Sequence, residues 1–171
     1  KIAAQFDSFP IEIEPPEKVS INESGTSFLY KGLLYKTPLI GKYQAMNGVM
    51  AINVIKIINN KIKHKIIQKG LNKTLWPGRL QRMNESLPIY YDVCHNIEGI
   101  SLMLENMQSL FTKKPLGLFV IKRDKEVNLL TDVLTNKFYK LVVSGGEEFG
   151  LLNGSELSSL LYDNNFNEFH L

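Results

Sequence analysis

Beyond Leu75-Trp76-Pro77-Gly78 the chain alternates short apolar runs with segments of helical period, and this alternation restricts the fold more than any other feature. Leu87–Tyr91, Pro115–Ile121 and Phe138–Val143 read as strands, and Ile97–Phe111, Glu126–Asn136 and Ser155–Tyr162 read as helices. Strands and helices in strict alternation imply an α/β arrangement with a parallel sheet and right-handed crossovers. Pro115–Ile121 is a continuous apolar run, the pattern of a strand buried on both faces. Ligands of such sheets bind beyond the carboxyl ends of the strands, so a site is expected in Asp92-Val93-Cys94-His95-Asn96, which follows the first strand.

Before the break the pattern differs. Pro10–Glu14 alternates Ile with Glu and reads as a short strand ended by Pro15-Pro16. Ser27–Tyr30 and Leu33–Lys36 flank Lys31-Gly32, a hairpin in which Gly supplies a positive φ. The apolar spacing of Gln44–Ile58 suits a helix packed on more than one side. Ile62–Lys69 reads as a second, basic helix stopped by Gly70. Pro77-Gly78 breaks both helix and strand, which predicts two parts, 1–75 and 76–171, in a chain of 171 residues.

Composition removes several classes. A chain that is 44% hydrophobic and 22% charged has the material for a packed core, unlike a disordered or collagen-like chain. The longest wholly apolar stretch, Leu116–Ile121, falls far short of the ~18 residues of a membrane span, so no membrane partner is expected. Cys94 is the one cysteine, which excludes an internal disulfide and suits a reducing, cytoplasmic setting. A first residue of Lys1 rather than Met predicts a chain that has lost its native start.

The formal charge of +3 conceals an asymmetry: residues 1–77 carry +6 and residues 78–171 carry −3. Ser24–Asn84 holds no Asp or Glu against 11 Lys plus Arg. Such a stretch is a solvated basic face, or a surface for a nucleoside triphosphate or another polyanion. Nucleic acid is not expected, because the run lacks interleaved aromatics and zinc-finger spacing.

Singly, the polar residues are ambiguous. Asp92 and Asn96 suit helix capping, and His95 an ordinary loop. His64 and His170 have no partners at metal-ligand spacing, so no metal site is expected. Cys94 reads as a small buried residue rather than half of a Cys–His pair. Gly145-Gly146 and Gly150 match no phosphate loop.

Three segments taken together are more specific: Gly41-Lys-Tyr-Gln44-Ala-Met-Asn47-Gly-Val-Met-Ala51, Trp76-Pro-Gly-Arg79-Leu-Gln81 and Tyr91-Asp92-Val-Cys-His95-Asn96. Their order and spacing resemble the folylpolyglutamate synthase / dihydrofolate synthase family of Mur-ligase-like amide ligases. In that family a GxHQxxNAxxA helix ends the central ATPase domain, a WPGR-type linker follows, and the C-terminal domain opens with a strand ending in DGAHN. Lys122-Arg-Asp124-Lys125 is similar to the family's basic-Asp-Lys segment.

The resemblance implies a β-plus-helix remnant of the central ATPase domain followed by a Rossmann-like C-terminal domain with a mainly parallel sheet. It implies ATP contacts from Asn47 (adenine), Arg79 (phosphate–ribose side) and Asp92, with Arg79 and His95 in catalytic roles. Gln44, His95, Asn96, Lys122, Asp124 and Lys125 would line the substrate cleft. The activity implied is ATP- and magnesium-dependent addition of L-glutamate to folate or dihydropteroate, in partnership with the rest of the parent chain. The family's phosphate loop and magnesium ligands lie upstream of these segments, so the piece alone is expected to be inactive. Tyr43, Gly48, Val93, Cys94 and Ile97 depart from the family pattern, which has His, Ala, Gly, Ala and Pro there. A Mur-type peptidoglycan ligase and a non-catalytic Rossmann-like interaction module are the alternatives.

Overall fold

The computed structural model describes residues 10–134, 137–146, 148–162 and 169–170. It divides into two compact units, Lys1–Pro77 and Gly78–Leu171, each with its own core.

The first unit is an antiparallel sheet packed against two helices. Strands β1 (Glu17–Asn22), β2 (Gly25–Tyr30) and β3 (Leu33–Thr37) form a meander in the order β1-β2-β3. Lys31 and Gly32 both have positive φ, 50° and 73°, as the tight turn between β2 and β3 requires, so this hairpin follows the sequence expectation. The strand expected at Pro10–Glu14 is absent, and the ladder begins only at Glu17. Pro10, Pro15 and Pro16 have no N–H to donate to a ladder. Ile13 instead packs on the core without strand pairing.

Helix α1 (Lys42–Ile58) buries Gln44, Ala45, Gly48, Val49 and Ile52. Ala45, Val49 and Ile52 join Phe28, Tyr30, Tyr35 and Ile67 in one cluster. Within this unit only that face is covered. Met46, Met50, Val54 and Ile57, at the spacing of a second stripe, are exposed, which corrects the expectation of burial on more than one side.

Helix α2 (His64–Asn72) runs two residues past Gly70, which sits in its last turn rather than capping it. The Lys73 N–H closes the helix on the carbonyls of Gly70 and Leu71. Gln68 of α2 makes a paired bond with the backbone of Lys36: the Lys36 N–H donates to Oε1 and Nε2 donates to the Lys36 carbonyl, both at 2.9 Å. His64 Nε2 lies 3.0 Å from the Leu34 carbonyl. These side chains occupy backbone groups of β3 that a further strand would otherwise use.

The second unit opens with a short hairpin, β4 (Gln81–Arg82) paired antiparallel with β5 (Tyr90–Tyr91). Helix α3 (Ile97–Leu110) follows. Then come β6 (Leu116–Phe119), a 3-10 turn (Val127–Leu130) leading into α4 (Thr131–Leu134), β7 (Lys140–Val143), α5 (Gly154–Tyr162) and β8 (Phe169–His170). The sheet has the order β6-β7-β8 with both pairings parallel, so the expected α/β class with a parallel sheet is present. Its core joins Ile100 and Leu104 of α3, Leu141 and Val143 of β7, and Leu157 and Leu161 of α5.

Three expectations need correction. Leu87–Tyr91 is not the first parallel strand. The chain reverses after Arg82, and only Tyr90–Tyr91 pairs, antiparallel, with Gln81–Arg82. Leu116 and Leu118 are 67% and 72% exposed, so β6 is buried on one face rather than two. The helix expected over Glu126–Asn136 starts as the 3-10 turn, and its last two positions lie outside the described residues. The pattern had not indicated β8 at all.

Two helical glycines should respond to alanine with opposite sign. A Cβ on Gly48 would meet the Phe28 ring at 2.7 Å, and that ring is fully buried. Gly48→Ala is therefore expected to destabilise by about 1–3 kcal/mol despite alanine's better helix propensity. A Cβ on Gly70 meets nothing within 4 Å, so Gly70→Ala should stabilise by up to about 1 kcal/mol. Urea titrations of the two variants check both signs.

Candidate functional site

Two of the motif segments form one hydrogen-bonded structure in the second unit. Asp92, just after β5, accepts from the Leu80 N–H at Oδ2 (2.7 Å) and from the Cys94 N–H at Oδ1 (2.8 Å). The Val93 N–H donates to the Gly78 carbonyl at 3.0 Å, and the Gly78 N–H donates to Gln81 Oε1 at 3.0 Å. Gly78 and Leu80 have φ of 74° and 44°, so Arg79 stands between two left-handed residues. That conformation is strained for a leucine and persists only where its surroundings hold it. Here the hold is a carboxylate on the Leu80 amide and burial of the Leu80 side chain. Gly78 is needed at its position because a Cβ there would also lie 2.7 Å from Val93 Cγ1.

Arg79 is half-buried, and its guanidinium acts electrostatically on Cys94. Burial pushes the Cys94 thiol up to about 12, the Asp92 carboxylate adds to the rise, and Arg79 opposes it. Cys94 packs against the core beside α3 but is only partly buried, so its reading as a small buried residue holds in part.

His95 is exposed, and its Nδ1 lies 3.2 Å from the Val93 carbonyl. That contact is a hydrogen bond only with the proton on Nδ1, which makes Nε2 the acceptor of the neutral ring. Asn96 is the N-cap of α3 and accepts the Gly99 N–H at 3.0 Å. The loop that carries these residues follows a hairpin strand rather than a strand of the parallel sheet.

Gln44 and Asn47 belong to the first unit, one turn apart on α1. Gln44 is 3% exposed, and its Oε1 accepts from Asn47 Nδ2 at 3.0 Å, which orients an exposed amide. Lys122, Asp124 and Lys125 lie in the second unit, on the segment after β6. Lys125 Nζ pairs with Asp124 Oδ2 at 3.2 Å, and that hydrogen bond is the main cause of Asp124's lowered pKa. Between them in sequence, Arg123 makes a two-pronged pair with Glu156 of α5, at 3.0 and 2.7 Å. The Arg123 hydrogen bond holds the Glu156 carboxyl below its ordinary range.

Gln81 is a residue of the motif to which the resemblance gives no role, yet it holds this turn. The signal was its position three residues after a glycine in a turn, where a side-chain acceptor can reach back to an unpaired N–H.

Cys94 should be unreactive while the chain is folded. With the thiol at about 12, the thiolate fraction at pH 8 is on the order of one in ten thousand. Iodoacetamide labelling followed by mass spectrometry is expected to be at least tenfold slower than in 6 M urea, where the ordinary thiol range returns.

No family model matches the chain. Over 95 residues it is 33% identical to the dihydrofolate synthase/folylpolyglutamate synthase of Bacillus subtilis, covering 53% of this chain and 22% of that protein. Over 107 residues it is 29% identical to the folylpolyglutamate synthase of Lacticaseibacillus casei, covering 60% of this chain and 25% of the relative. The chain therefore spans a quarter or less of the length of these curated relatives. Among solved structures it superposes on Mycobacterium tuberculosis folylpolyglutamate synthase complexed with ADP and AMPPCP with a TM-score of 0.75 at 21% identity, covering 92% of this chain and 37% of the other. A folylpolyglutamate synthase–AMPPCP–folate complex gives 0.73 at 25% identity, with 83% and 38% covered. The UDP-N-acetylmuramate-alanine ligase of Thermotoga maritima gives 0.68 at 16% identity, with 91% and 36% covered, a likeness of fold alone. The chain's curated relatives are thus folylpolyglutamate and dihydrofolate synthases, and its fold is that of a part of such a protein.

Proposed function

We propose that this chain contributes part of the active site of an ATP-dependent carboxylate–amine ligase that joins L-glutamate to a folate or dihydropteroate carboxylate. One observation carries the reading: the turn presenting Arg79 and the loop bearing Asp92, His95 and Asn96 are hydrogen-bonded to one another, in a chain whose curated relatives are synthases of that kind. Bound ATP supplies the phosphoryl group that converts the acceptor carboxylate to an acyl phosphate, from which the glutamate amine displaces phosphate.

The chemistry of the individual residues supports the nucleotide part of this reading. Asn47 spends one N–H on Gln44, and its amide has a second N–H and a carbonyl oxygen, the donor and acceptor that an adenine edge takes. Arg79 carries a permanent planar charge suited to phosphate oxygens. Each Asp92 oxygen accepts one backbone N–H and keeps a lone pair for a ribose hydroxyl. With Nδ1 on the Val93 carbonyl, His95 Nε2 is an acceptor, which supports a role in taking a proton from the attacking amine. Asn96, Lys122, Asp124 and Lys125 are assigned to the glutamate and acceptor side, where the lysines attract carboxylates. Among the described residues no three His, Cys, Asp or Glu side chains are grouped as a metal site needs; in this proposal the magnesium would be held by the rest of the parent chain. No helix among the described residues is long and apolar enough to cross a membrane. Catalysis in the cytoplasm, without nucleic acid or membrane, is part of the same proposal.

The gene product carrying this chain is expected to release ADP and phosphate only when a folate-type acceptor and glutamate are both present. Arg79→Ala should lower kcat/KM for ATP about 100-fold or more, with the melting temperature nearly unchanged. Turnover dependent on a muramyl precursor would transfer the chain to the Mur-type reading. Failure to bind ATP at all would favour the non-catalytic module.

A further inference from the structure

We infer that Gln81 is a positioning residue for Arg79, a role that rests on the ligase reading above. Arg79 sits between two backbone clasps. Before it, the Gly78 N–H is held by Gln81 Oε1 at 3.0 Å, and the Gly78 carbonyl by the Val93 N–H at 3.0 Å. After it, the Leu80 N–H is held by Asp92 Oδ2 at 2.7 Å. Val93 and Asp92 thus hold the peptide groups on either side of Arg79, and Gln81 holds the peptide group before Gly78, which sets the φ of the glycine that leads into Arg79.

Gln81 is itself anchored. As the first residue of β4 it pairs with Tyr91, the residue before Asp92, so both clasps are built on the same hairpin. With Gly78 at φ 74° and Leu80 at φ 44°, the turn is a high-energy conformation with nothing intrinsic to maintain it. Removing the Gln81 acceptor frees the Gly78 amide, and glycine has the widest choice of alternative conformations. The turn then samples states in which the guanidinium points elsewhere. An ion-binding arginine presented by a backbone that wanders loses both binding and catalysis, since a displacement of about 1 Å can cost a factor of 100. Gln81 is a neutral amide, which holds the Gly78 N–H without adding a second negative charge to that of Asp92.

The test is a double-mutant cycle in the gene product carrying this chain, read as kcat/KM for ATP and as the dissociation constant of AMPPCP. Gln81→Ala is expected to lower kcat/KM about tenfold in the wild-type background and to have no effect in the Arg79→Ala background. Gln81→Glu keeps an acceptor for the Gly78 N–H and should restore nucleotide binding at least in part. Hydrogen exchange of the peptide spanning 78–82 should quicken in Gln81→Ala and remain unchanged in Arg79→Ala. Equal losses from Gln81→Ala in both backgrounds would overturn the proposal, as would unchanged exchange in Gln81→Ala. Wild-type kinetics for Arg79→Ala would instead overturn the ligase role of Arg79, with the exchange data still reporting whether Gln81 holds the turn. If Arg79→Ala abolishes turnover, AMPPCP binding completes the cycle, and Arg79→Lys supplies a weaker background.

Discussion

The Asp92 carboxylate is the constraint on which the opening of the second unit depends. One oxygen holds the amide of Leu80 and the other the amide of Cys94, so two stretches of backbone twelve and two residues away converge on one side chain. Hydrogen bonds from backbone N–H groups to a carboxylate are worth about 1.5–3 kcal/mol each, roughly what a leucine in a left-handed conformation costs. The strained turn and the carboxylate therefore account for each other. The same contact places Asp92 beside Cys94, where its charge adds to the effect of burial in keeping that thiol protonated.

Local chemistry was the part of this structure most legible in the sequence. Lys31-Gly32 adopts a turn with positive φ at both residues, which matches the twist of the strands it joins, and α1 and α3 form where the apolar period is helical. What could not be read was pairing. Leu87–Tyr91 has the composition of a core strand, yet its partner is set by the reversal after Arg82, where the Arg82 guanidinium wraps the carbonyls of Asn84 and Glu85. The run around Pro115–Ile121 likewise has two apolar faces, and composition cannot say whether both meet a neighbour. At the candidate site, Arg79 and Asp92 stand out only through the resemblance of their segments to the family's motifs. The bonds that relate them run between a backbone amide and a side chain twelve positions later, which no local pattern encodes.

The departure at Gly48 shows how a motif position answers to its surroundings. The family's usual alanine would drive its methyl into the Phe28 ring, which stacks on Tyr35 at the centre of the first core. A larger aromatic on the sheet and a smaller residue on the helix are two halves of one packing solution. Gln44, four residues earlier on the same helix, is buried as fully as the hydrocarbon around it, and its bond to Asn47 satisfies an amide that would otherwise be costly there.

The pairing of Gln68 with the backbone of Lys36 has a consequence for how this chain behaves in company. An amide side chain offers the same donor and acceptor as a peptide group, so β3 meets a strand one residue long that can never be extended. Charged residues guard an open strand edge by repulsion, which salt weakens. A neutral amide guards it by occupancy, and its protection holds equally in dilute buffer and in concentrated salt.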